Sequence, residues 1–128
     1  MPLIWNEEYS VGNAELDAQH QKLMEICNRA AACLEQPDSG DLHLILHELS
    51  AYADTHFRAE EKLLEQCRCP LLAEQRVEHS AYHEQLVELM WQATTGEPDK
   101  AAIHRHVSDW WRHHILGADR KYIPYIAQ

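Results

Sequence analysis

Apolar residues recur along this chain at alternating steps of three and four, and polar metal-ligand types interrupt the rhythm at positions that face inward. In the first stretch His20, Leu23, Cys27, Ala30 and Leu34 follow this spacing. A longer one runs through Leu42, Leu46, Leu49, Ala53, His56, Glu60, Leu63 and Cys67, and a later one through Ile103, Val107, Trp110 and His114. Such a stripe is the inward face of a helix packed at a shallow angle against its neighbours. Breakers at Gln36-Pro37-Asp38-Ser39-Gly40, Cys67-Arg68-Cys69-Pro70 and Thr94-Thr95-Gly96-Glu97-Pro98 divide the chain into helical segments at about 14–35, 41–66, 71–93 and 99–117. Loops this short make consecutive helices antiparallel neighbours. The expected fold is all-α, an up-down-up-down antiparallel four-helix bundle in one domain over 1–128, with an extended N-terminal arm (1–12) and a tail (120–128) broken by Pro124.

The interruptions carry the chemistry. His20, His56, Glu60 and His114 stand at core-facing steps on three of the helices. Burying several imidazoles and a carboxylate without compensation costs several kcal/mol each, as much as the whole stability of a typical domain. A metal ion compensates, because each of these groups then becomes a ligand. Roughly matched distances from the shared loops bring His20 level with His56, and Glu60 level with His79. His56 and Glu60 are i and i+4 on one helical face, as are His79 and His83 on the third helix. His114 and Asp119 are i and i+5, which an ideal helix splays by about 140°; Gly117 between them is expected to permit a distortion that turns both inward. Imidazoles with a bridging carboxylate suit iron in a bundle core, and no cysteine joins the set to favour structural zinc.

Composition narrows the remaining choices. The 128 residues include ten histidines and one phenylalanine, with a formal net charge of −10. An acidic surface repels nucleic acid and anionic lipid, so neither is an expected partner, and it favours a monomer. No apolar run is long enough for a membrane span, and the N-terminus lacks the pattern of a signal peptide. The expected location is therefore the cytoplasm, with Cys27, Cys33, Cys67 and Cys69 as reduced thiols. His43 and His47 form another i, i+4 pair, but helical phase turns it to the outside, and His104, His106 and His113 read as flank or surface. Trp5, Trp110, Tyr122 and Tyr125 are expected to cover the bundle ends and the site.

Three blocks together carry a resemblance: Tyr9-Ser10-Val11-Gly12 with Asp17-Ala18-Gln19-His20, then His56-Phe57-Arg58-Ala59-Glu60-Glu61, then His114-Ile115-Leu116-Gly117-Ala118-Asp119-Arg120-Lys121-Tyr122. Over nearly its whole length the chain resembles the bacterial hemerythrins. That resemblance implies five histidines, one Glu and one Asp around two non-haem iron ions with an oxo or hydroxo bridge, and dioxygen as the ligand. His20 and His56 would hold the iron with the open position, Glu60 and Asp119 would bridge, and His114 with two residues of the third helix would complete the other iron.

The third helix departs from the family. There the loop proline is followed by histidines five and nine residues on, positions that fall here on Gln75 and His79. Either Gln75 replaces one ligand, or one inserted turn makes His79 and His83 the pair; the second restores five imidazoles and is the expectation. On the first register His83 would enter the oxygen pocket. Trp111 stands where the family commonly has Leu, lining that pocket with Phe57 and Ile115. The ligand set expected from the sequence is thus His20, His56, Glu60, His79, His83, His114 and Asp119. The expected function is non-enzymatic, reversible dioxygen binding for transport, storage or sensing. With no output domain in view, transport or storage is preferred. The alternatives are a di-iron redox protein handling NO or peroxide, an iron-donating repair protein, and a bundle whose metal serves only folding.

Overall fold

A computed structural model describes residues 3–35, 41–94 and 99–126. Four helical runs account for almost all of them: α1 (Ala14–Leu34), α2 (Leu42–Gln66), α3 (Leu72–Thr94) and a composite α4 (100–126). α1 packs on α2, α2 on α3, and α4 returns against α1. This is the all-α four-helix bundle that the spacing predicts. Two of its three loops, 36–40 and 95–98, lie outside the described residues.

The ends of the runs follow from local chemistry. Asn13 caps α1 by accepting the Leu16 amide at 3.0 Å, and Asp99 caps α4 by accepting that of Ala102 at 3.0 Å. α2 closes with its chain reversing at Arg68, whose φ of 56° is left-handed. The Cys69 amide donates to Leu64 O at 2.9 Å and the Arg68 amide to Glu65 O at 3.1 Å. These two bonds satisfy carbonyls that the helix end would otherwise orphan.

The N-terminal arm is pinned at both ends. Leu3 exchanges two hydrogen bonds with the Asn28 carboxamide, at 2.7 and 2.8 Å. Farther on, Asp17 accepts from Ser10 Oγ at 2.6 Å and from the Val11 amide at 2.9 Å, while Gly12 takes a φ of 80° to turn the chain into α1. The arm also contains a single 3-10 turn, Glu7–Tyr9.

α4 is not a regular helix. After Lys100–His104 it widens into a π turn at Arg105–Asp109, recovers at Trp110–His113, widens again at His114–Ala118, and tightens to 3-10 at Asp119–Tyr122. Each widened turn shifts the helical phase. His106, expected at the surface, is therefore buried beside Val107; its Nε2 lies 3.2 Å from Tyr82 O and its ring stacks on Tyr82 at 4.1 Å. In the same way Trp111 is the core residue and Trp110 is only half-buried. On α2 the inward step after Glu60 falls on Leu64, with Leu63 half-buried beside it.

Buried apolar residues form two clusters. The larger one runs from Leu3 and Leu23 through Leu46, Leu49, Leu86, Leu89 and Trp111. The smaller one, Val11, Leu16, Leu64, Cys69 and Tyr122, closes the end near the α2–α3 loop. His20 follows Leu16 by one turn on α1, and Glu60 precedes Leu64 by one turn on α2. The polar layer thus lies between the clusters, shut in from both ends.

Candidate metal centre

His20, His56, Glu60, Gln75, His79, His114 and Asp119 are all buried, at 4% exposure or less. Helical phase accounts for His20 on α1 and for His56 and Glu60 on α2. On α3 the inward stripe is Gln75, His79, Tyr82, Leu86 and Leu89. His83 is exposed and lines a surface cavity. The expectation that His79 and His83 form the inward pair is therefore corrected. A residue four positions from His79 faces the core on one side only, because Tyr82 takes the inward direction in the next turn. The inward pair is Gln75 with His79, and His83 stays outside the pocket.

The second π turn of α4 brings His114 and Asp119 together. The Asp119 amide donates to His114 O, an i to i+5 bond that stacks residues five apart on one face. Their side chains meet with Nε2 and Oδ1 3.0 Å apart. Gly117 is not what permits this. A Cβ there would meet no atom within 4 Å, and its φ is not left-handed, so the widened turn needs no glycine on steric grounds.

Two groups of potential ligand atoms emerge, His20-His56-Glu60 and Glu60-His79-His114, in each of which the atoms lie within 4.8 Å of one another. Glu60 belongs to both. Its Oε2 stands 3.5 Å from His56 Nε2 and 3.9 Å from His20 Nε2, and its Oε1 stands 2.9 Å from His79 Nε2. Asp119 divides likewise, with Oδ2 3.3 Å from His20 Nε2 and Oδ1 3.0 Å from His114 Nε2. Each half thus has two imidazoles and one oxygen from each of two shared carboxylates.

The inner atoms are left unsatisfied. The Nε2 atoms of His20, His56, His79 and His114 are buried without a hydrogen-bond partner, as are Glu60 Oε1 and Asp119 Oδ2. Several pairs are close enough to bond but lack the directionality, so their lone pairs converge on common points rather than on one another. Buried polar groups are almost always satisfied. A cluster of exceptions at one level, with nitrogen and oxygen donors only, fits cations.

A second layer of side chains orients these donors. The outer nitrogen of His56 meets Gln19 Oε1 at 2.7 Å, that of His79 meets Glu61 Oε2 at 2.7 Å, and that of His114 lies 3.2 Å from Glu78 Oε2. Tyr122 Oη donates to Glu60 Oε2 at 2.7 Å. Partners of this kind fix the ring orientation of a ligating His. Gln19 and Glu61 lie in the blocks that carry the resemblance, but nothing in the spacing marks them or Glu78 as partners of the imidazoles, and Tyr122 is expected there only as cover. A Gln next to His20 and a Glu next to Glu60 were the available signals, yet such residues on helices are ordinarily solvated.

Electrostatics follow the geometry. Burial, and then the neighbouring His20 imidazole, hold the His56 pKa well below its ordinary value, so that ring is neutral and able to ligate. Burial would lower His114 as well, but the Asp119 carboxylate overrides it and the pKa is raised to about 10. Asp119 in turn is held low, since its interactions with His114 and then His20 outweigh the effect of burial.

The wall over the centre is aromatic, with Phe57 stacked on His79 at 3.9 Å. Trp111 is fully buried, its ring centroid 6.2 Å from that of His56 and 5.5 Å from that of Phe57, with which it stacks. Its indole Nε1 donates to Tyr82 Oη at 2.9 Å. It is therefore both core and cover. Trp110 stacks on His114 at 4.4 Å and Trp5 on Tyr9 at 5.9 Å, whereas Tyr125 is exposed. His47, His104 and His113 are exposed and His43 is half-buried, all away from the centre.

Comparison with known proteins agrees with this geometry. The family profile described as "Hemerythrin HHE cation binding domain" matches residues 11–126. The chain is 29% identical over 126 residues to the bacteriohemerythrin of Clostridium acetobutylicum, covering 94% of this chain and 98% of that one. It is 24% identical over 120 residues to the bacteriohemerythrin of Stenotrophomonas maltophilia, covering 94% and 78% respectively. A hemerythrin-like protein of Naegleria gruberi is 29% identical over 122 residues, covering 94% and 91%. Among solved structures, a wild-type hemerythrin superposes with a TM-score of 0.89 at 21% identity over the full length of both chains, which speaks to the fold. No helix among the described residues is long and apolar enough to cross a membrane. With buried donors from all four helices converging at one level and a family match that spans nearly the whole chain, this protein belongs to the hemerythrin family of cation-binding four-helix domains.

Proposed function

We propose that the chain binds dioxygen reversibly at a pair of non-haem iron ions. His20 and His56 would hold one ion and His79 and His114 the other, with Glu60 and Asp119 spanning both. The observation that carries this reading is the pair of ligand groups sharing Glu60, each with converging donors that have no hydrogen-bond partner. When bound, the iron pair supplies the electrons and the coordination position that dioxygen binding requires.

The chain's own residues do the rest. Gln19, Glu61 and Glu78 aim the imidazoles through their outer nitrogens. Tyr122 holds Glu60 in place with its hydroxyl proton. Trp111, Phe57 and Ile115 form a buried apolar wall that keeps water from the centre. The Trp111 N–H, the one polar group of that wall, is turned away to Tyr82 and offers no proton to the centre. Such a wall suits binding and release better than turnover.

The test is anaerobic loading with ferrous iron, then admission of air, with iron content and visible spectrum read together. About two ions per chain and a band that appears with air and fades on deoxygenation are expected. Fewer than about one ion, or no colour with air or azide, overturns the reading. Steady consumption of peroxide or NO by the reduced protein would replace it with a redox enzyme.

A further inference from the structure

The two halves of the centre are alike in their own donors, so the residue that distinguishes them is Gln75. Each half has two imidazoles, one Glu60 oxygen and one Asp119 oxygen. Gln75 adds a neutral carboxamide on the His114 side. Its Nε2 donates to Asp119 Oδ1 at 3.0 Å, and that oxygen is the one 3.0 Å from His114 Nε2. The Nε2 bond fixes which way round the amide lies. It leaves Oε1 buried with no hydrogen-bond partner. The residue as a whole is 2% exposed.

Gln75 also lines a cavity. A cavity of about 180 Å³ opens between the start of α3 and the second π turn of α4, lined by Leu71, Glu74, Gln75, Glu78, Gly117 and Lys121 among others. Gln75 spans from this cavity to Asp119. A second cavity of about 370 Å³ borders His79. Both cavities thus lie on the side of the His79–His114 half.

We infer that Gln75 makes the His79–His114 half a second exchangeable position of the metal centre. The inference rests on the di-iron reading and deepens it. A carboxamide oxygen is a weaker donor to an iron-class ion than an imidazole, and it belongs with the ligands that suit harder, more labile ions. It holds the position until a small anion, entering along the 180 Å³ cavity, displaces it. Asp119 keeps its orientation during the exchange, because the Gln75 amide nitrogen still holds it.

The test uses the whole protein, loaded with ferrous iron and oxidised in air. Azide is titrated by its charge-transfer absorption. Wild-type protein is expected to take up about two azide ions per chain. Gln75→His should reduce azide to about one per chain. Gln75→Ala should keep both azides. A wild type that binds one azide overturns the inference even if neither variant folds. Unchanged azide uptake in a folded Gln75→His overturns it too. If wild type and Gln75→His both fail to hold an iron pair, the di-iron reading itself has failed, which is a distinct result.

Discussion

Replacing Tyr122 by Phe removes one atom from the centre's surroundings and nothing from its ligand set. Tyr122 Oη donates to Glu60 Oε2 at 2.7 Å, and both groups are fully buried. Burial, together with the nearby Asp119 and Glu60 carboxylates, pushes the tyrosine pKa far up, so the hydroxyl keeps its proton throughout the working range. A hydrogen bond to a charged group contributes about 1.5–3 kcal/mol. Its loss leaves a shared carboxylate oxygen without its donor. Taking about 2 kcal/mol, retention of the metal against a competing chelator should weaken roughly 30-fold. The phenyl ring fills the same space among Val11, Leu16 and Leu64, so the metal-free variant should fold with a circular dichroism spectrum like that of wild type. The assay is chelator competition on the two proteins, with melting of the metal-free forms as the control. Wild-type retention in a folded Tyr122→Phe would refute the claim that outer partners of Glu60 tune the site.

His106 sets an acid limit on the bundle. Burial lowers its pKa from 6.5 to about 4, against the opposing hydrogen bond to Tyr82 O. The unfolded chain binds this proton more readily, so the stability is complete above pH 6.5 and is lost as pH falls toward 4. The loss amounts to about 3 kcal/mol at pH 4. Denaturant unfolding of the metal-free protein at several pH values should show a steeper acid decline for wild type than for His106→Leu; parallel declines would refute it. At the end of α2, Arg68 adopts the left-handed conformation that glycine takes without strain. Arg68→Gly should leave the melting temperature unchanged or raise it, by up to about 1 kcal/mol in stability, and a clear loss would show that the Arg68 side chain matters.

The sequence determined the architecture because burial acts through periodicity. His20, His56 and Glu60 sit on regular helices, where position along the chain fixes direction, and their place in the core could be read from spacing alone. His114 and Asp119 could be paired as well, though the pairing required a departure from helical geometry that their separation of five residues demanded. What the spacing could not supply was the register of α3. One turn of helix preserves facing, so Gln75 with His79 and His79 with His83 satisfy the same stripe. The choice fell to packing, which gives the inward direction to Tyr82 and leaves His83 in solvent. Nor could spacing reveal the π turn at Arg105–Asp109, which brings His106 into the core, because a phase shift has no signature in a pattern read at constant period. The outer partners of the imidazoles were hidden for a related reason. Gln19, Glu61 and Glu78 flank the buried stripes and resemble any solvated helix residue until a second helix places a ring nitrogen beside them. Sequence fixes which way a side chain faces along its own helix. What it meets there depends on the neighbouring helices, and only the assembled bundle brings those into place.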